Sequence, residues 1–252
     1  MPQLPHLLLI VSLLSGCVTT GQVNPMSTEK GRQEALKAYV QLGVHHIQRG
    51  ETQAAKVPLK SALELDSSSP DAHAALALAF QIEMEPKLAD EHFRKALSQR
   101  STDARLLNNY GGFLFEQKRY QEAYTVYLKA AEDNLYPERS FVFENLGLTA
   151  LQLNQKEKAQ EFFQRSLRLS SRQPLALLEM AHLSFEAREY VPARGYYQNY
   201  SELAPQNARS LLLGARLAEV FGDRDRAASL GLQLKRLFPA SAEYQQYLSG
   251  NP

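Results

Sequence analysis

A recurring register of alanines is the feature that most constrains how this chain folds. Alanine returns at steps of 34, 34, 36, 34 and 34 residues, at Ala55, Ala89, Ala123, Ala159, Ala193 and Ala227. Twelve residues before each alanine stands another small residue: Gly43, Ala77, Gly111, Gly147, Ala181 and Ala215. Helices can approach closely where side chains are small. The two columns therefore predict a tandem array of closely packed helix pairs.

A third column carries large apolar side chains four residues after each alanine. Its members are Leu59, Phe93, Tyr127, Phe163, Tyr197 and, as the one exception, Gly231. The clearest copy of the whole unit is Leu106–Ala131, in which Lys118 and Arg119 interrupt the apolar pattern and mark the turn between two helices. Gly231 makes the last copy the least regular, as expected of a repeat that ends a stack.

The period of 34 residues with this pattern resembles the tetratricopeptide repeat, a helix–turn–helix unit. The resemblance covers about Leu36–Ser241, within a predicted repeat domain over residues 29–252. It implies an all-α, right-handed solenoid of about twelve helices. The six predicted repeats are 36–69, 70–103, 104–139, 140–173, 174–207 and 208–241. The two extra residues of the third step fall near Leu135–Glu138, and residues 242–252 can add a short capping helix.

The N-terminus indicates export. Residues 1–16 contain no Lys, Arg, Asp or Glu, and Leu7–Leu14 is an apolar run of the length of a secretory signal, too short to span a bilayer. The run ends in Leu14-Ser15-Gly16-Cys17, which resembles a bacterial lipobox and predicts a lipidated Cys17. Residues 17–28 then form a predicted flexible tether, and Val18 in place of Asp favours the outer membrane by resemblance to Gram-negative lipoproteins. A plain secretory signal or a buried N-terminal helix are the alternatives.

Composition excludes several functions. The net charge of +1 gives no basic surface for nucleic acid. The sequence has no Gly-rich phosphate loop, no GxSxG and no HExxH, and adjacent His45 and His46 point too far apart on a helix for one metal ion. We therefore expect neither an enzyme nor a cofactor, metal or small-molecule substrate, but a protein that holds another protein.

A stacked array of such repeats has a concave inner face lined by the first helix of each pair. Periodicity places apolar residues there in most repeats and more charge in the sixth. The residues predicted to contact a partner are Val44, Ile47, Leu78, Ile82, Asn108, Asn109, Phe115, Asn145 and Leu148, and the wider face includes Glu144, Leu178, His182, Arg209 and Leu212. Contiguous apolar surface usually marks a binding site. The alternative is that neighbouring helices or the C-terminal tail fill the groove.

Asn109 and Asn145 occupy equivalent positions, each two residues before the glycine of its repeat. A carboxamide offers both a donor and an acceptor to the backbone of an extended ligand, and peptide-binding tetratricopeptide proteins often have asparagine at this place. Bonding within the loop or to the next helix is the alternative for both residues.

Several segments also resemble the type IV pilus biogenesis lipoproteins of the PilF/PilW pilotin family. They are Leu107–Leu114, Glu116–Tyr124, Leu135–Leu148, Glu189–Ala193, Asn207–Leu213 and Gly231–Pro239, all from the third repeat onward. The resemblance implies a lipid-anchored outer-membrane protein facing the periplasm, which binds the pilus secretin subunit and promotes its assembly. A different tetratricopeptide lipoprotein, serving outer-membrane protein assembly or cell-wall hydrolases, and a cytoplasmic co-chaperone are the alternatives.

Overall fold

A computed structural model describes residues 24–250 and shows an all-helical chain in which no strand occurs over that range. The predicted signal peptide over residues 1–16, Cys17 and the first part of the tether lie outside the described residues. The α-helices are α1 Glu29–Gln48, α2 Thr52–Leu65, α3 Pro70–Ile82, α4 Pro86–Gln99, α5 Ala104–Glu116, α6 Tyr120–Ala130, α7 Arg139–Gln152, α8 Lys156–Leu169, α9 Pro174–Glu186, α10 Tyr190–Leu203, α11 Ala208–Val220, α12 Arg224–Leu237 and α13 Ala242–Ser249. The first twelve form six pairs that stack in chain order, which confirms the predicted solenoid.

The end of the predicted tether has regular structure. Pro25–Ser27 form a short 3-10 helix that two hydrogen bonds of Asn24 stabilise. The Oδ1 of Asn24 accepts the N–H of Met26 at 3.0 Å, and the Oγ of Ser27 donates to the carbonyl of Asn24 at 2.7 Å. Thr28 then caps α1 by accepting the N–H of Gly31. The tether therefore ends in a turn that leads directly into the first repeat.

Local sequence explains where the helices begin. Side chains of Ser69, Asp103 and Asn207 accept the backbone N–H groups that the first turns of α3, α5 and α11 leave unpaired. Pro70, Pro86 and Pro174 stand at the first position of their helices, where the missing N–H costs nothing. These signals lie in or beside the short connections between helices.

The turn between the two helices of each pair has one backbone geometry in all six repeats. One residue adopts a left-handed conformation, at Gly50, Met84, Lys118, Asn154, Arg188 and Gly222. This column repeats with the same steps as the alanines. Lys118 is among these residues, so the predicted turn is confirmed at that position.

Glycines and large side chains meet where the helices of a pair cross. A methyl group at Gly111 would lie 2.6 Å from Cε1 of Tyr127, and one at Gly147 would lie 2.5 Å from Cε1 of Phe163. Gly43 meets Leu59 in the same way. At these positions the small residue of the first helix therefore contacts the large side chain that lies sixteen residues later in the second helix.

The C-terminal end corrects one expectation. Gly231, interpreted from the sequence as an irregularity of the last repeat, lies directly under the ring of Tyr247 in α13. Tyr244 and Tyr247 pack on the buried cluster of Leu211, Leu212 and Leu234. The missing side chain therefore makes room for the capping helix that covers the open end of the stack.

None of the helices within residues 24–250 combines the length and the hydropathy needed to cross a lipid bilayer.

Candidate functional site

The first helices of repeats one to three enclose a cavity of about 450 Å³ on the concave face. Its apolar wall comes from Val40 and Val44 of α1, Ala74 and Leu78 of α3, and Leu106 of α5, the last of which is almost fully buried. These residues come from three consecutive repeats. The cavity therefore exists only when the repeats are stacked.

Charged side chains surround this apolar wall. Both terminal nitrogens of Arg100 donate hydrogen bonds to the carboxylate of Asp71 at 3.0 Å. A terminal nitrogen of Arg105 donates to the same carboxylate at 3.3 Å. Lys37 and Asp103 also line the cavity. An apolar floor with a polar rim is the usual composition of a site that holds a protein segment.

Three of the predicted contact residues line this cavity: Val44, Leu78 and Asn109. Ile47 is half-buried against the core of the first repeat, whereas Ile82 is 53% exposed at the end of α3. Phe115 packs edge-on against Tyr120 with ring centroids 5.2 Å apart, and Leu148 packs on the central core. The predicted set therefore does not form one surface, and only its N-terminal part lies around a cavity.

The two asparagines at equivalent positions have different surroundings. The Nδ2 group of Asn145 donates to Oδ1 of Asn108 at 3.1 Å, across the boundary between the third and fourth repeats. Asn109 instead lines the cavity, and no side-chain hydrogen bond of it occurs within the described part of the chain. The amide of Asn109 thus faces the cavity, while Asn145 uses part of its amide inside the protein.

The concave face of the last three repeats differs from the expectation of an open apolar groove. Leu178 and Leu212 are at most 5% exposed, because α9 and α11 pack against their neighbours. Glu144 was also predicted on this face, yet it is buried and its Oε2 accepts the N–H of Ala176 at 3.1 Å. It supplies the cap that Gln173 does not provide at the start of α9.

Buried charge replaces apolar surface in this region. Arg209 forms a paired contact with the buried carboxylate of Glu179, with Nη2 2.8 Å from Oε2. Burial raises the pKa of the Glu144 carboxyl, and the nearby Glu179 adds to this effect. Burial lowers the pKa of His182 to about 3, with Arg209 and Arg216 contributing. The concave face of the last three repeats therefore carries buried carboxylates among its apolar residues.

The structure brings together two histidines that the sequence did not pair. His73 and His92 lie with their Nδ1 atoms 3.0 Å apart, while Nε2 of His73 donates to the carbonyl of Ser67 at 3.1 Å. The two residues are nineteen positions apart, on the facing helices α3 and α4, and their spacing fits the repeat geometry. Among residues 24–250, no group of three or more His, Cys, Asp or Glu side chains is placed to hold a metal ion.

Stacked helix pairs with this turn and this concave cavity define a tetratricopeptide repeat protein. The family model described as "Tetratricopeptide repeat" matches residues 102–172. The sequence is 63% identical over 234 residues to "Type IV pilus assembly protein PilF" of Pseudomonas aeruginosa PAO1, a match that spans 93% of each chain. The chain belongs to the family of this type IV pilus assembly protein.

Solved structures agree with this assignment. A structure of Pseudomonas aeruginosa PilF superimposes with a TM-score of 0.86 and covers 88% of this chain and 100% of that chain. The crystal structure of PilW, described as a widely conserved type IV pilus biogenesis factor, is 28% identical and superimposes with a TM-score of 0.72 over 85% of this chain and 99% of that chain. Both superpositions extend over most of the described solenoid.

Proposed function

We propose that this protein acts in type IV pilus biogenesis as an outer-membrane pilotin. In this role it binds the pilus secretin subunit, brings it to the outer membrane and promotes its multimerisation. The observation that carries the proposal is the 63% identity to the pilus assembly protein PilF over 93% of both chains. The scaffold fits a binding protein rather than an enzyme, because stacked repeats present an extended surface to a partner.

The concave cavity of repeats one to three is the proposed secretin site. Val44 and Leu78 offer apolar contacts, and Asn109 offers a donor and an acceptor to the backbone of the bound segment. The cavity is formed by the fold before any partner arrives, which reduces the entropy lost on binding.

Lipidation of Cys17 is the proposed means of attachment. Several acyl chains on one cysteine would hold the protein on the membrane, since each buried CH₂ group contributes about 0.8 kcal/mol. Few residues separate Cys17 from the turn at Pro25–Ser27. The first repeats and their cavity would therefore stay close to the periplasmic side of the outer membrane, where anchored clients are concentrated.

The Cys17→Ser variant tests the attachment. We expect a folded protein that no longer fractionates with the outer membrane, with mislocalised secretin, fewer secretin multimers and loss of twitching motility. Palmitate labelling of the wild-type protein, absent in the variant, checks the modification itself. Secretin multimers at normal abundance in the variant would contradict the proposed role.

The Asn109→Ala variant tests the cavity. We expect weaker binding of the purified secretin subunit by about 1–3 kcal/mol, because a polar group of the bound segment would lose its partner. Leu232→Ala, at a 67% exposed leucine on α12 far along the chain, is the control and should leave binding unchanged. Equal affinity for wild type and Asn109→Ala would argue against the cavity.

The second candidate is an adaptor lipoprotein for outer-membrane protein assembly or for cell-wall hydrolases. It would share the anchor and the repeats but bind another client. Crosslinking from position 109 in intact cells, followed by identification of the captured protein, separates the two. Capture of the secretin supports the pilotin, and consistent capture of a hydrolase or of an assembly protein supports the adaptor.

A further inference from the structure

A second candidate binding surface lies at the edge of the solenoid, away from the concave cavity. The connection between α6 and α7 runs over residues 131–138, whereas the other connections between repeats are the shorter segments 66–69, 100–103, 170–173 and 204–207. Beside it is a cavity of about 400 Å³ formed with the start of α7 and the junction of α8 and α9. We call Leu135, Phe141, Leu169, Arg139 and Arg172 the loop-edge patch.

The loop-edge patch exposes apolar side chains on ordered backbone. Leu135 is 90% exposed, Leu169 is 52% exposed and Phe141 is 49% exposed. The long connection is nevertheless held internally, since the carboxylate of Asp133 accepts the N–H of Leu135 at 2.9 Å and Arg139 donates to the carbonyl of Ala131 at 2.8 Å. Exposed apolar groups that are held in place, rather than packed into the core, are typical of binding surfaces.

The floor of the cavity is also fixed. Gln173 is buried and its Nε2 donates to the Oγ of the buried Ser140 at 2.9 Å. Gln173 directly precedes α9 and Ser140 lies in the first turn of α7, so their bond joins consecutive repeats at the base of the cavity. The surface above it needs little rearrangement to receive a ligand.

The charged side chains that line this cavity are both arginines. Arg139 and Arg172 line the cavity, and the guanidinium carbon of Arg165 on α8 lies 4.1 Å from the ring centroid of Phe143. The guanidinium carbon of Arg139 lies 5.1 Å from the same centroid. None of these three arginines takes part in an ion pair within residues 24–250. Their positive charge is therefore available to carboxylates from outside.

We propose that the loop-edge patch binds an acidic segment of a partner protein. In this arrangement an apolar side chain of the segment enters the cavity between Phe141 and Leu169, and flanking carboxylates pair with Arg139 and Arg172. Guanidinium groups bind carboxylates through two parallel hydrogen bonds, which makes an acidic peptide the matching ligand. A membrane fits less well, because interfacial binding uses a protruding amphipathic helix rather than a depression. This surface is separate from the proposed secretin cavity, so the chain could hold two partners.

The test uses the full chain and synthetic peptides in a fluorescence anisotropy titration. The probe is a short peptide that combines Glu with Leu and Phe, and its counterpart carries Gln in place of every Glu. We expect the acidic peptide to bind about tenfold more tightly, with a strong dependence on salt. Arg172→Gln should remove most of this difference, and Phe141→Ser should weaken both peptides. Equal affinity for the two peptides would overturn the proposal.

Arg188→Gln is the matched control, because Arg188 is another exposed arginine without an ion pair in the described chain, on the turn between α9 and α10. It should bind the acidic peptide like the wild type, as should the cavity variant Asn109→Ala. Circular dichroism checks that every variant is folded. If Arg188→Gln weakens binding as much as Arg172→Gln, the charge effect is not local and the proposal fails.

Vesicles provide the last arm of the test. Binding to phosphatidylglycerol vesicles that is lost in Arg172→Gln, without binding of the acidic peptide, would assign the patch to a membrane surface and overturn the proposal. Secretin binding is measured on the same variants. We expect secretin binding to fall in Asn109→Ala and to stay unchanged in Arg172→Gln, so failure of the loop-edge patch and failure of the proposed pilotin role give different results.

Discussion

Single glycines decide how closely the helices of a pair approach. Gly43, Gly111 and Gly147 each face a large side chain of the following helix at a distance that leaves no room for a methyl group. Gly195 has nothing within 4 Å of where a Cβ would be and lies inside α10. Glycine therefore permits close helix packing at the first three positions, whereas at position 195 there is room for a side chain.

Replacement of Gly111 by alanine should destabilise the protein. Glycine inside a helix normally costs about 0.5–1 kcal/mol relative to alanine, but at Gly111 the methyl group meets the ring of Tyr127, and such overpacking costs about 1–3 kcal/mol. We expect a lower free energy of unfolding in urea for Gly111→Ala. Gly195→Ala should show the opposite sign, a gain of about 0.5–1 kcal/mol. A higher free energy of unfolding for both variants would show that the contact between position 111 and the ring of Tyr127 is not tight.

The histidine pair of the second repeat makes the protein sensitive to acid. The bond from His73 to the carbonyl of Ser67 requires a proton on Nε2, so Nδ1 of His73 accepts from Nδ1–H of His92. Burial, then the neighbouring His73 and Lys95, lower the pKa of His92 to about 4 against an opposing effect of Glu91. Burial also lowers the pKa of His73. Both side chains are therefore neutral in the folded protein at pH 7.

Acidification from about pH 6.5 to about pH 4 should lower the free energy of unfolding. In this window the unfolded chain takes up protons at its histidines, whereas His92 in the folded chain does not, so protonation favours unfolding. His92→Gln should lose less stability between about pH 7 and about pH 4.5 than the wild type. His45→Gln, at an exposed histidine, is the control and should behave like wild type. An acid loss in His92→Gln as large as in wild type would exclude this explanation.

At the scale of the helices, neighbouring repeats are joined by polar contacts at their edges. Asp90 of α4 accepts hydrogen bonds from the hydroxyl of Tyr110, from Arg94 and from Arg119, each at 2.8 Å. Arg119 also makes a paired contact with Glu122 at 2.7 Å. One carboxylate thus links the second repeat to α5 and to the turn that precedes α6 in the third repeat.

Removal of this carboxylate should weaken the junction. Asp90→Ala leaves the partly buried Tyr110 hydroxyl and Arg119 without their partner, which we expect to cost about 1–3 kcal/mol in urea unfolding. The adjacent Glu91→Ala is the matched control, because Glu91 makes an exposed contact with Lys95 within one helix. Such exposed contacts within one helix contribute little to stability. Equal effects of the two variants would show that Asp90 does not join the repeats.

For the whole molecule, the core is a series of clusters along the stack. The largest joins repeats two to four and reaches Met180 in the fifth, while separate clusters lie between the first and second repeats and under α13. In a stack of this kind each repeat depends on its neighbours, so the ends open before the middle. Hydrogen exchange should therefore be slowest in α5 to α8.

Gly231→Ala should open the C-terminal end selectively. The added methyl group displaces Tyr247, so amide exchange in α12 and α13 should become faster while α5 to α8 stay unchanged. Leu248→Ala, at a 60% exposed leucine of α13, is the control and should leave exchange in α12 as in wild type. Equal acceleration along the whole chain would contradict the view that repeats open separately.

Much of the fold could be predicted from the sequence, and less of the site. The columns that contain Gly111, Ala123 and Tyr127 predicted the helix pair because those residues touch within one pair. The left-handed turn residues recur with the same steps as the alanines. The sequence did not reveal this column, because Met84 and Arg188 are residue types that rarely adopt a left-handed conformation. Asn145 and Asn109 are at equivalent positions of their repeats, but the amide of Asn145 donates to Asn108 of the neighbouring repeat. The sequence did not reveal this difference.

The sequence by itself determined the repeat, the helix pairs and the family, because small and large residues recur at a spacing that one local unit explains. The tertiary structure decided which concave residues stay open. Glu144 reaches Ala176 and Arg209 reaches Glu179 across repeat boundaries, and the cavity of repeats one to three needs residues from three helices at once. Such contacts depend on the angle between consecutive repeats, which is set by packing at each junction and not by the period.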